Sequence, residues 1–228
     1  DMPDTIVAGL TRVRVVNDGG YWHHALFVKL DSTQSTAGYL AAIRRDEEFP
    51  SGATDFGGPP LTAAGDSMDH VLRFTPGRWL AMCTASGGGA WHVAMGMIDS
   101  FTVLPRRNDH AEAAEPDAKL TLVMGDDAFE FPDTIAAGTQ WVRIENRGAR
   151  WHECDVLALD PGKSLEDYRR WRRVDHQMTP QPCRPVGGTA DFVPGEVQWS
   201  LMRFSPGQHV LVCDMPGDSA HFRYVVAR

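Results

Sequence analysis

The chain has 228 residues, 43% of them hydrophobic and 23% charged, so it is long enough for two domains of about 100 residues each. Its net charge of −8 argues against nucleic acid as a partner, because phosphate binding requires a basic surface. No apolar run approaches the ~20 residues of a membrane helix. Four cysteines are too few to build a disulfide scaffold of this size.

The first half is predicted from its residue patterns in chain order. TRVRVVN and ALFVKL alternate as strands do, and TAGYLAAIRR is typical of a short helix. Residues 46–66 contain Pro and Gly and predict a long surface loop. HVLRF, WLAMC and MIDSFTVLP predict three further strands, with a Pro-Gly turn between the first two. Residues 106–117, RRNDHAEAAEPD, are polar without a strand pattern and predict a linker between domains at 1–105 and 118–228.

The second half begins with KLTLVMGDDAFEF, a strand pattern that has no counterpart at the start of the first half. WVRIEN and CDVLAL predict strands, and the capping box Ser164–Asp167 predicts a helix over YRRWRRV. Residues 175–194 predict a surface loop, and VQWSLMRF and HVLVC predict the last strands. Each unit is therefore expected to lack one terminal strand, unless strands are shared between units. The fold class predicted is all-β, with two tandem Greek-key sandwich or barrel domains, each with one short helix in a long loop.

Much of the chain occurs twice. Pro3 to Asp31 (PDTIVAGLTRVRVVNDGGYWHHALFVKLD) aligns without a gap on Pro132 to Asp160 (PDTIAAGTQWVRIENRGARWHECDVLALD), at an offset of 129. Further on, FTPGRWLAMC aligns on FSPGQHVLVC at an offset of 130. A repeat of this length is a domain duplication rather than a short solenoid period.

The duplicated segments carry ligands for a soft transition metal. In the first half they are His23, Cys83, His92 and Met97, and imidazole, thiolate and thioether together suit copper. His24 points to the opposite face of a strand, and the repeat selects His23 because His24 aligns with Glu153. Met95, two residues before Met97, is an alternative thioether ligand.

The aligned residues of the second half are His152, Cys213 and His221. By alignment Val226 falls on Met97, so this set lacks a thioether. It suits copper, a tetrahedral zinc with water, or a degenerate site without metal. A cysteine after an apolar run is otherwise a small buried hydrophobe, but three aligned pairs of metal-competent residues favour a metal-binding ancestor.

Several other residues need an assignment. Trp22 and Trp151 precede the aligned histidines and Trp91 precedes His92, so all three are predicted to pack around the sites and exclude water, with an electron relay as the alternative. In an exported protein, Cys154 and Cys183 could form a disulfide. Four further histidines are predicted in loops or on the surface: His70, His110, His176 and His209.

The PDTI-AG opening with its early histidine, and the PG…C…H…GM close, resemble the cupredoxin family of blue copper proteins, and most of all tandem bacterial cupredoxin-like proteins. The resemblance implies an eight-stranded Greek-key barrel, a type 1 copper centre and one-electron transfer. It makes His23, Cys83 and His92 the strong ligands and Met97 the axial one. The spacing differs from well-known members: eight residues separate Cys83 from His92, and seven separate Cys213 from His221.

These features predict an exported periplasmic or extracytoplasmic electron carrier, not an enzyme, whose acidic surface meets a redox protein such as a cytochrome. The opening residues lack the basic start and apolar core of a signal peptide, so an export signal or anchor would lie outside this chain. The alternative is a metal-free structural or interaction subunit of a membrane-associated complex. A multicopper oxidase or nitrite reductase is disfavoured, because such oxidases need His-x-His pairs and the chain has none.

Overall fold

The structure is a computed structural model and describes residues 2–45, 47, 50–87, 90–107, 112–174, 181–215 and 221–228. These residues form mostly β-structure with two short helices, in two halves with the same strand order. The predicted all-β fold class, with one short helix in each half, is confirmed. In the described part of the chain, no helix is long and apolar enough to cross a membrane.

The described elements of the first half are strands that run between short turns, with one helix after the third strand. They are β1 (Thr5–Val7), β2 (Gly9–Val16), β3 (Leu26–Leu30), α1 (Thr36–Ile43), β4 (Ala53–Asp55), β5 (Ser67–Phe74), β6 (Gly77–Met82), β7 (Ser86–Gly87), β8 (Ala90–Trp91) and β9 (Ile98–Leu104).

The described elements of the second half follow the same plan, with an additional strand at the start. They are β10 (Leu120–Met124), β11 (Phe129–Glu130), β12 (Thr134–Ile135), β13 (Gly138–Asn146), β14 (His152–Leu159), α2 (Leu165–Val174), β15 (Cys183–Phe192), β16 (Val197–Phe204), β17 (Gly207–Val212) and β18 (Phe222–Ala227).

Each half has a five-stranded sheet of its own, in the order β1-β9-β6-β3-β4 in the first and β12-β18-β17-β14-β15 in the second. β7 and β8 form a small sheet of their own, and a six-stranded sheet is common to both halves and has the order β11-β10-β13-β16-β5-β2. It is joined where β16 pairs antiparallel with β5, Trp199 opposite Val71 and Ser200 opposite His70. The two halves therefore share one continuous sheet, and each packs its own sheet against it.

A separate apolar cluster forms between the halves, which we call the junction cluster. It joins one candidate metal ligand and residues next to others with residues of α2, and its members include Trp22, Cys83, Tyr168, Trp171 and Val212. All five are 4% exposed or less. Burial of apolar side chains stabilises a contact by about 25 cal/mol per Å², so this cluster fixes α2 against the first half.

Both helices begin where their capping residues predict. Ser35 precedes α1, and its hydroxyl oxygen accepts the backbone N–H of Gly38 at 3.0 Å. Before α2 the Asp167 N–H donates to the Ser164 hydroxyl oxygen at 3.3 Å, and the Ser164 N–H donates to an Asp167 carboxylate oxygen at 2.9 Å. This reciprocal pairing is the predicted capping box.

The surface loop predicted over residues 175–194 is wrong from Cys183 onward, where the chain forms β15 and is buried along most of its length. Residues 175–180 lie outside the described part of the chain. The strand contains Pro185 and the pair Gly187-Gly188, which usually interrupt strands. Gly188 has φ +121° and lies opposite Asp155, between two register shifts in the β14–β15 pairing, so glycine accommodates the irregular path of this edge strand.

The surface loop predicted over residues 46–66 is also wrong in its described part. It contains β4, and residues 57–63 are buried rather than exposed. Gly58 O accepts the N–H of Ala190, and Arg184 forms an ion pair with Asp66 at 2.6 Å. The segment is buried because the second half covers it, which a pattern local to the first half does not reveal.

The expected loss of a terminal strand is wrong for the second half. β18 pairs antiparallel with β17 and parallel with β12, as β9 pairs with β6 and β1. In this register Val226 lies opposite Gln208, and the equivalent Thr102 lies opposite Arg78. Val226 therefore corresponds to Thr102 and not to Met97, and the five residues 93–97 have no counterpart in the second half.

Candidate metal centres

His23 is held between β2 and β3 by its backbone. It exchanges hydrogen bonds with Thr62: its N–H donates to Thr62 O at 3.1 Å, and its carbonyl accepts from Thr62 N at 2.7 Å. Thr62 belongs to the buried segment that the second half covers. The position of this histidine therefore depends on chain elements far from it in sequence.

The repeated asparagine and glycine explain how both histidines are positioned. The Asn17 side-chain amide donates to Tyr21 O at 2.7 Å and Thr62 O at 2.8 Å, and its oxygen accepts the N–H of Gly19 at 3.0 Å. In the second half Asn146 makes the same three kinds of bond, to Arg150 O, Phe192 O and Gly148 N. A Cβ on Gly19 would lie 3.1 Å from Nε2 of His23, so glycine leaves room for the ring. The repeated asparagine and glycine thus fix the position of the histidine that follows them.

The structure brings His23, Cys83 and His92 together. Sγ of Cys83 lies 3.7 Å from Nδ1 of His23 and 3.5 Å from Nδ1 of His92, and the three ligand atoms all lie within 4.8 Å of one another. A metal about 2.3 Å from sulfur and 2.0 Å from nitrogen, at tetrahedral to trigonal angles, separates S and N by about 3.5–3.8 Å. The donor set and its spacing therefore fit a copper or zinc ion.

Burial sets the protonation of this cluster in the absence of metal. Burial lowers the pKa of His23, with a further contribution from the charge of His92, and it lowers the pKa of His92 as well. Burial raises the pKa of the Cys83 thiol, against the backbone N–H groups of His24 and Ala85. Neutral imidazoles are ready ligands, whereas the thiol must lose a proton when a cation binds.

The loop from Cys83 to His92 and the following turn close the site. The N–H of Cys83 donates to Met97 O at 3.1 Å, and the N–H of His92 donates to Ala85 O at 3.0 Å. Met97 is 44% exposed and lines a surface groove together with Cys83, whereas Met95 is 62% exposed. Of the two methionines, Met97 is the one beside the cysteine, and its role as axial ligand stays a prediction.

His24 faces away from the cluster. Its Nε2 accepts the backbone N–H of Thr84 at 2.8 Å and lies 2.9 Å from the Thr84 hydroxyl. Burial lowers the pKa of His24 to about 3, with the charge of Arg172 as the next cause. The choice of His23 over His24 as the residue that faces the cysteine agrees with this geometry.

The second half brings together His152, Cys213 and His221, again with all three ligand atoms within 4.8 Å of one another. These residues are 1%, 0% and 6% exposed, and the two ring centroids lie 5.6 Å apart. The N–H of Cys213 donates to His221 O at 3.2 Å, as that of Cys83 does to Met97 O. His221 thus occupies the register position of Met97.

Asp126 is a residue of the second candidate site that the sequence analysis missed. Its carboxylate lies 3.0 Å from Nε2 of His152 and accepts the N–H of Ala149 at 2.9 Å. The Ala149 N–H, followed by His152, lowers the pKa of Asp126 to about 2. A carboxylate on one ring nitrogen orients the other toward a metal. Asp126 follows the strand that the first half lacks, and the signal was the Asp-Asp pair after that strand.

The possible disulfide between Cys154 and Cys183 is wrong, because neither is disulfide-bonded. Cys183 lies opposite Leu159 in the β14–β15 pairing, five residues along the strand from Cys154. That places the two cysteines about 16 Å apart along the strand, and a disulfide requires Cα atoms within about 7 Å.

The tryptophans and the remaining histidines differ in how far they are buried. Trp22 packs on Trp171 of α2 with ring centroids 4.8 Å apart, whereas Trp91 is 36% exposed. The surface prediction for His70 and His209 is wrong, because both are 0% exposed. His70 lies in the strand that joins the two halves, with Nε2 2.6 Å from Oε1 of Gln198. His110 and His176 lie outside the described residues.

No family model matches the sequence, and no match was found among curated proteins. Solved structures with some similarity include a multicopper oxidase, at 13% identity over 98% of this chain and 76% of that chain, with a TM-score of 0.32. Auracyanin B matches at 14% identity over 53% of this chain and 95% of its own, with a TM-score of 0.38. A Cu-containing nitrite reductase from Thermus scotoductus SA-01 matches at 14% identity over 98% of this chain and 53% of that chain, with a TM-score of 0.31.

Proposed function

We propose that the first half binds copper through His23, Cys83 and His92, with Met97 as a weak fourth ligand, and that the protein carries single electrons. The observation that carries the proposal is the pair of sulfur–nitrogen distances, 3.7 and 3.5 Å, which already suit a bound metal. Bound copper supplies a one-electron couple, and a His₂Cys set with a long thioether contact is typical of blue-copper centres.

The residues of this chain hold the ligands in place and keep water out. Cys83 is 1% exposed and His92 3% exposed, and the backbone of His23 is fixed through Thr62. A ligand set that is held by the fold has little freedom to rearrange when the charge of its ion changes. Fixed ligands of mixed hardness therefore favour rapid electron transfer over substrate chemistry.

The surface around His92 offers a route for a partner. Tyr21 is 40% exposed with its ring centroid 6.5 Å from that of His92, and Trp91, Met95 and Met97 are exposed as well. An apolar rim beside a buried ligand suits a brief protein contact. Together with the net charge of −8, it supports a basic redox partner such as a cytochrome, or a subunit of a membrane-associated complex, in the periplasm or another extracytoplasmic compartment.

For the second half, a metal at His152, Cys213 and His221 is the proposal, and a site that has lost its metal is the alternative. Asp126 favours retention, because its carboxylate still orients His152. The metal-free structural subunit remains the second candidate function for the whole chain. A multicopper oxidase activity is not proposed, since the sequence contains no His-x-His pair.

The test is titration of the purified chain with Cu(II), followed by visible absorption. We expect an intense thiolate-to-copper band that Cys83→Ser removes. Cys213→Ser is the matched control, because it makes the same change in the second half, and it should leave most of the band. A chain that takes up no copper, or a band that only Cys213→Ser removes, would refute the electron carrier with its centre in the first half.

A further inference from the structure

Strand β2 lies at one edge of the sheet that both halves share. The N–H of Leu10 points away from β5, since it donates to a carboxylate oxygen of Glu112 at 2.7 Å. Alternate residues of a strand direct their backbone groups to the same edge, so those of Arg12, Arg14 and Val16 point away from β5 as well. Within the described part of the chain, no strand pairs with these three residues on that side, and Val16 is 59% exposed.

The corresponding edge in the second half is occupied. At the offset of 129 that relates the two halves, β13 aligns with β2, and β10 pairs in parallel with β13. The β13 residues Val142 and Ile144 are 0% exposed, whereas their β2 counterparts Val13 and Val15 are half-buried. The first half therefore leaves an edge and part of its apolar face accessible where the second half has a strand.

The turn that follows β10 also covers the second candidate metal site. Asp126 in this turn lies 3.0 Å from Nε2 of His152, and the ring centroid of Phe129, in β11, lies 6.1 Å from that of His221. His152 is 1% exposed, whereas its counterpart His23 is half-buried. The segment from β10 to β11 thus extends the sheet and encloses the metal site in the second half, and the first half is more accessible at both places.

The outer face of the β2 edge has an excess of positive charge. Arg12 and Arg14 both pair with the carboxylate of Asp69, at 3.0 and 2.7 Å, and their side chains are 53% and 57% exposed. Two guanidinium groups share this one carboxylate. In the second half Arg143, the counterpart of Arg14, has an ion pair with Glu145 instead. A second copy of β2 would bring its own arginines to this edge, so like charges disfavour it, whereas a strand with a carboxylate on its outer face is favoured.

We propose that the β2 edge binds an extended segment of a partner protein, which pairs in parallel with β2 as β10 pairs with β13. The segment has apolar residues at alternate positions, which cover Val13 and Val15, and an acidic residue between them that faces Arg14. Addition of a strand to an exposed sheet edge is a recurring mode of peptide recognition, in which main-chain hydrogen bonds give affinity and alternate side chains give specificity. The turn after such a strand lies beside His23, so this partner also encloses the first candidate metal site.

The probe is a synthetic peptide of residues 118–131, the segment that occupies this edge in the second half, with Thr121→Glu. Thr121 lies opposite Arg143, the counterpart of Arg14, so the glutamate faces Arg14. The peptide is added to the metal-free chain, so the result does not depend on copper, and backbone amide exchange is followed by NMR. The amides of Arg14 and Val16 should exchange rapidly in the free chain, and about tenfold more slowly with saturating peptide. The Arg143 amide should exchange slowly in both.

Two comparisons separate strand pairing from non-specific binding. Val16→Pro removes an N–H that faces the edge and should weaken peptide binding by about tenfold. Val7→Pro is the matched control and should leave the affinity unchanged: β1 is also an edge strand, and Val7 precedes Ala8, whose N–H donates to Leu104 O. The second comparison leaves the chain intact and exchanges the peptide, because Thr121→Lys in place of Thr121→Glu should lower the affinity by about tenfold. Urea unfolding verifies that each variant folds.

Three outcomes would overturn the proposal. The first is slow exchange of the Arg14 and Val16 amides in the chain alone, which would mean that this chain or a second copy already occupies the edge; sedimentation distinguishes the two. The second is a peptide that binds without slowing these amides, or that does not bind. The third is equal affinity for the glutamate and lysine peptides, which would mean that the charge of the edge selects no partner.

Discussion

Asn17 and Asn146 are the residues on which the shape of each candidate site depends. Each is at most 3% exposed, and each side chain bridges the turn before the histidine and a segment about 45 residues later. The bonds satisfy carbonyl groups that water cannot reach. A side chain that satisfies several buried backbone groups contributes more to stability than a surface hydrogen bond does.

Asn17→Ala is expected to lower the free energy of unfolding by about 2–3 kcal/mol, because Tyr21 O and Thr62 O lose their donor. The measurement is urea unfolding followed by tryptophan fluorescence. Gln140→Ala is the control: the Gln140 side chain also donates to a carbonyl, Ala136 O, but in an exposed position, so its loss should cost under about 0.5 kcal/mol. Equal losses of unfolding free energy in the two variants would show that the Asn17 hydrogen bonds do not hold the turn before His23 in place.

That each candidate set converges could be predicted at this scale because the chain repeats itself. The repeat paired His23 with His152 and Cys83 with Cys213, and the structure brings each set together. Asp126 could not be found in this way, because the first half has no aligned strand before it. The buried acids between the halves were also missed, since Asp55 and Asp191 are 136 residues apart and only the packing of two halves brings them together.

At the scale of elements, β15 is a strand that the local sequence pattern did not predict. Its Pro185 and Gly187-Gly188 resemble a loop, yet the strand pairs with β14 from Cys183 to Phe192. A Cβ on Gly188 would lie 1.8 Å from Cys154 O, so a glycine is required for β15 to approach the neighbouring strand this closely. Sequence patterns report the intrinsic propensity of a segment, whereas this strand is stabilised by its pairing with β14.

Gly188→Ala is therefore expected to destabilise the chain by on the order of 3 kcal/mol or to prevent its folding, through the clash with Cys154 O and a strained φ of +121°. Gly162→Ala is the matched control. Gly162 has φ +78° with nothing within 4 Å of the added methyl, so only the backbone strain of about 1 kcal/mol applies. The comparison is made by urea unfolding, and similar losses of unfolding free energy for both glycines would contradict a requirement for glycine at a close approach of β15 to β14.

The turn after His92 is the element that most distinguishes the two candidate sites. Residues 93–97 separate His92 from β9, whereas His221 leads directly into β18. The register of the two strands is otherwise the same, with Met82 opposite Ile98 and Val212 opposite Phe222. The first site can therefore present a methionine from this turn, and the second site, whose ligands are all 6% exposed or less, is the more enclosed.

At the scale of the whole molecule, the junction combines apolar packing with buried acids. The junction cluster and the shared sheet join the two halves, but the acids Asp55, Asp155 and Asp191 are buried in the same region, with Glu153 half-buried beside them. Burial raises the pKa of Asp55 and of Glu153 well above the usual range. Interfaces that bury ionisable groups gain or lose stability with pH according to the sign of these shifts.

Asp155 provides a test of how the stability of this interface depends on pH. Burial raises the pKa of Asp155 to about 7, with Arg172 opposing the shift, Asp214 adding to it and the N–H of Leu61 opposing it. In the unfolded chain this carboxyl has a pKa of about 3.9. The folded state thus keeps a proton that the unfolded state releases, so the contribution of this group to stability falls as pH rises from about 4 to about 7.

Asp155→Asn removes that ionisation and keeps an oxygen for the Leu61 N–H. We expect the variant to melt at a higher temperature than the parent chain at pH 8, and the difference to disappear below about pH 4, in differential scanning calorimetry. Asp160→Asn, an exposed change on the same segment, should shift the melting temperature little at either pH. A higher melting temperature for the parent chain at pH 8 would instead mean that Arg172 stabilises ionised Asp155 more than burial penalises it. The junction between the halves would then gain stability from the charge of Asp155.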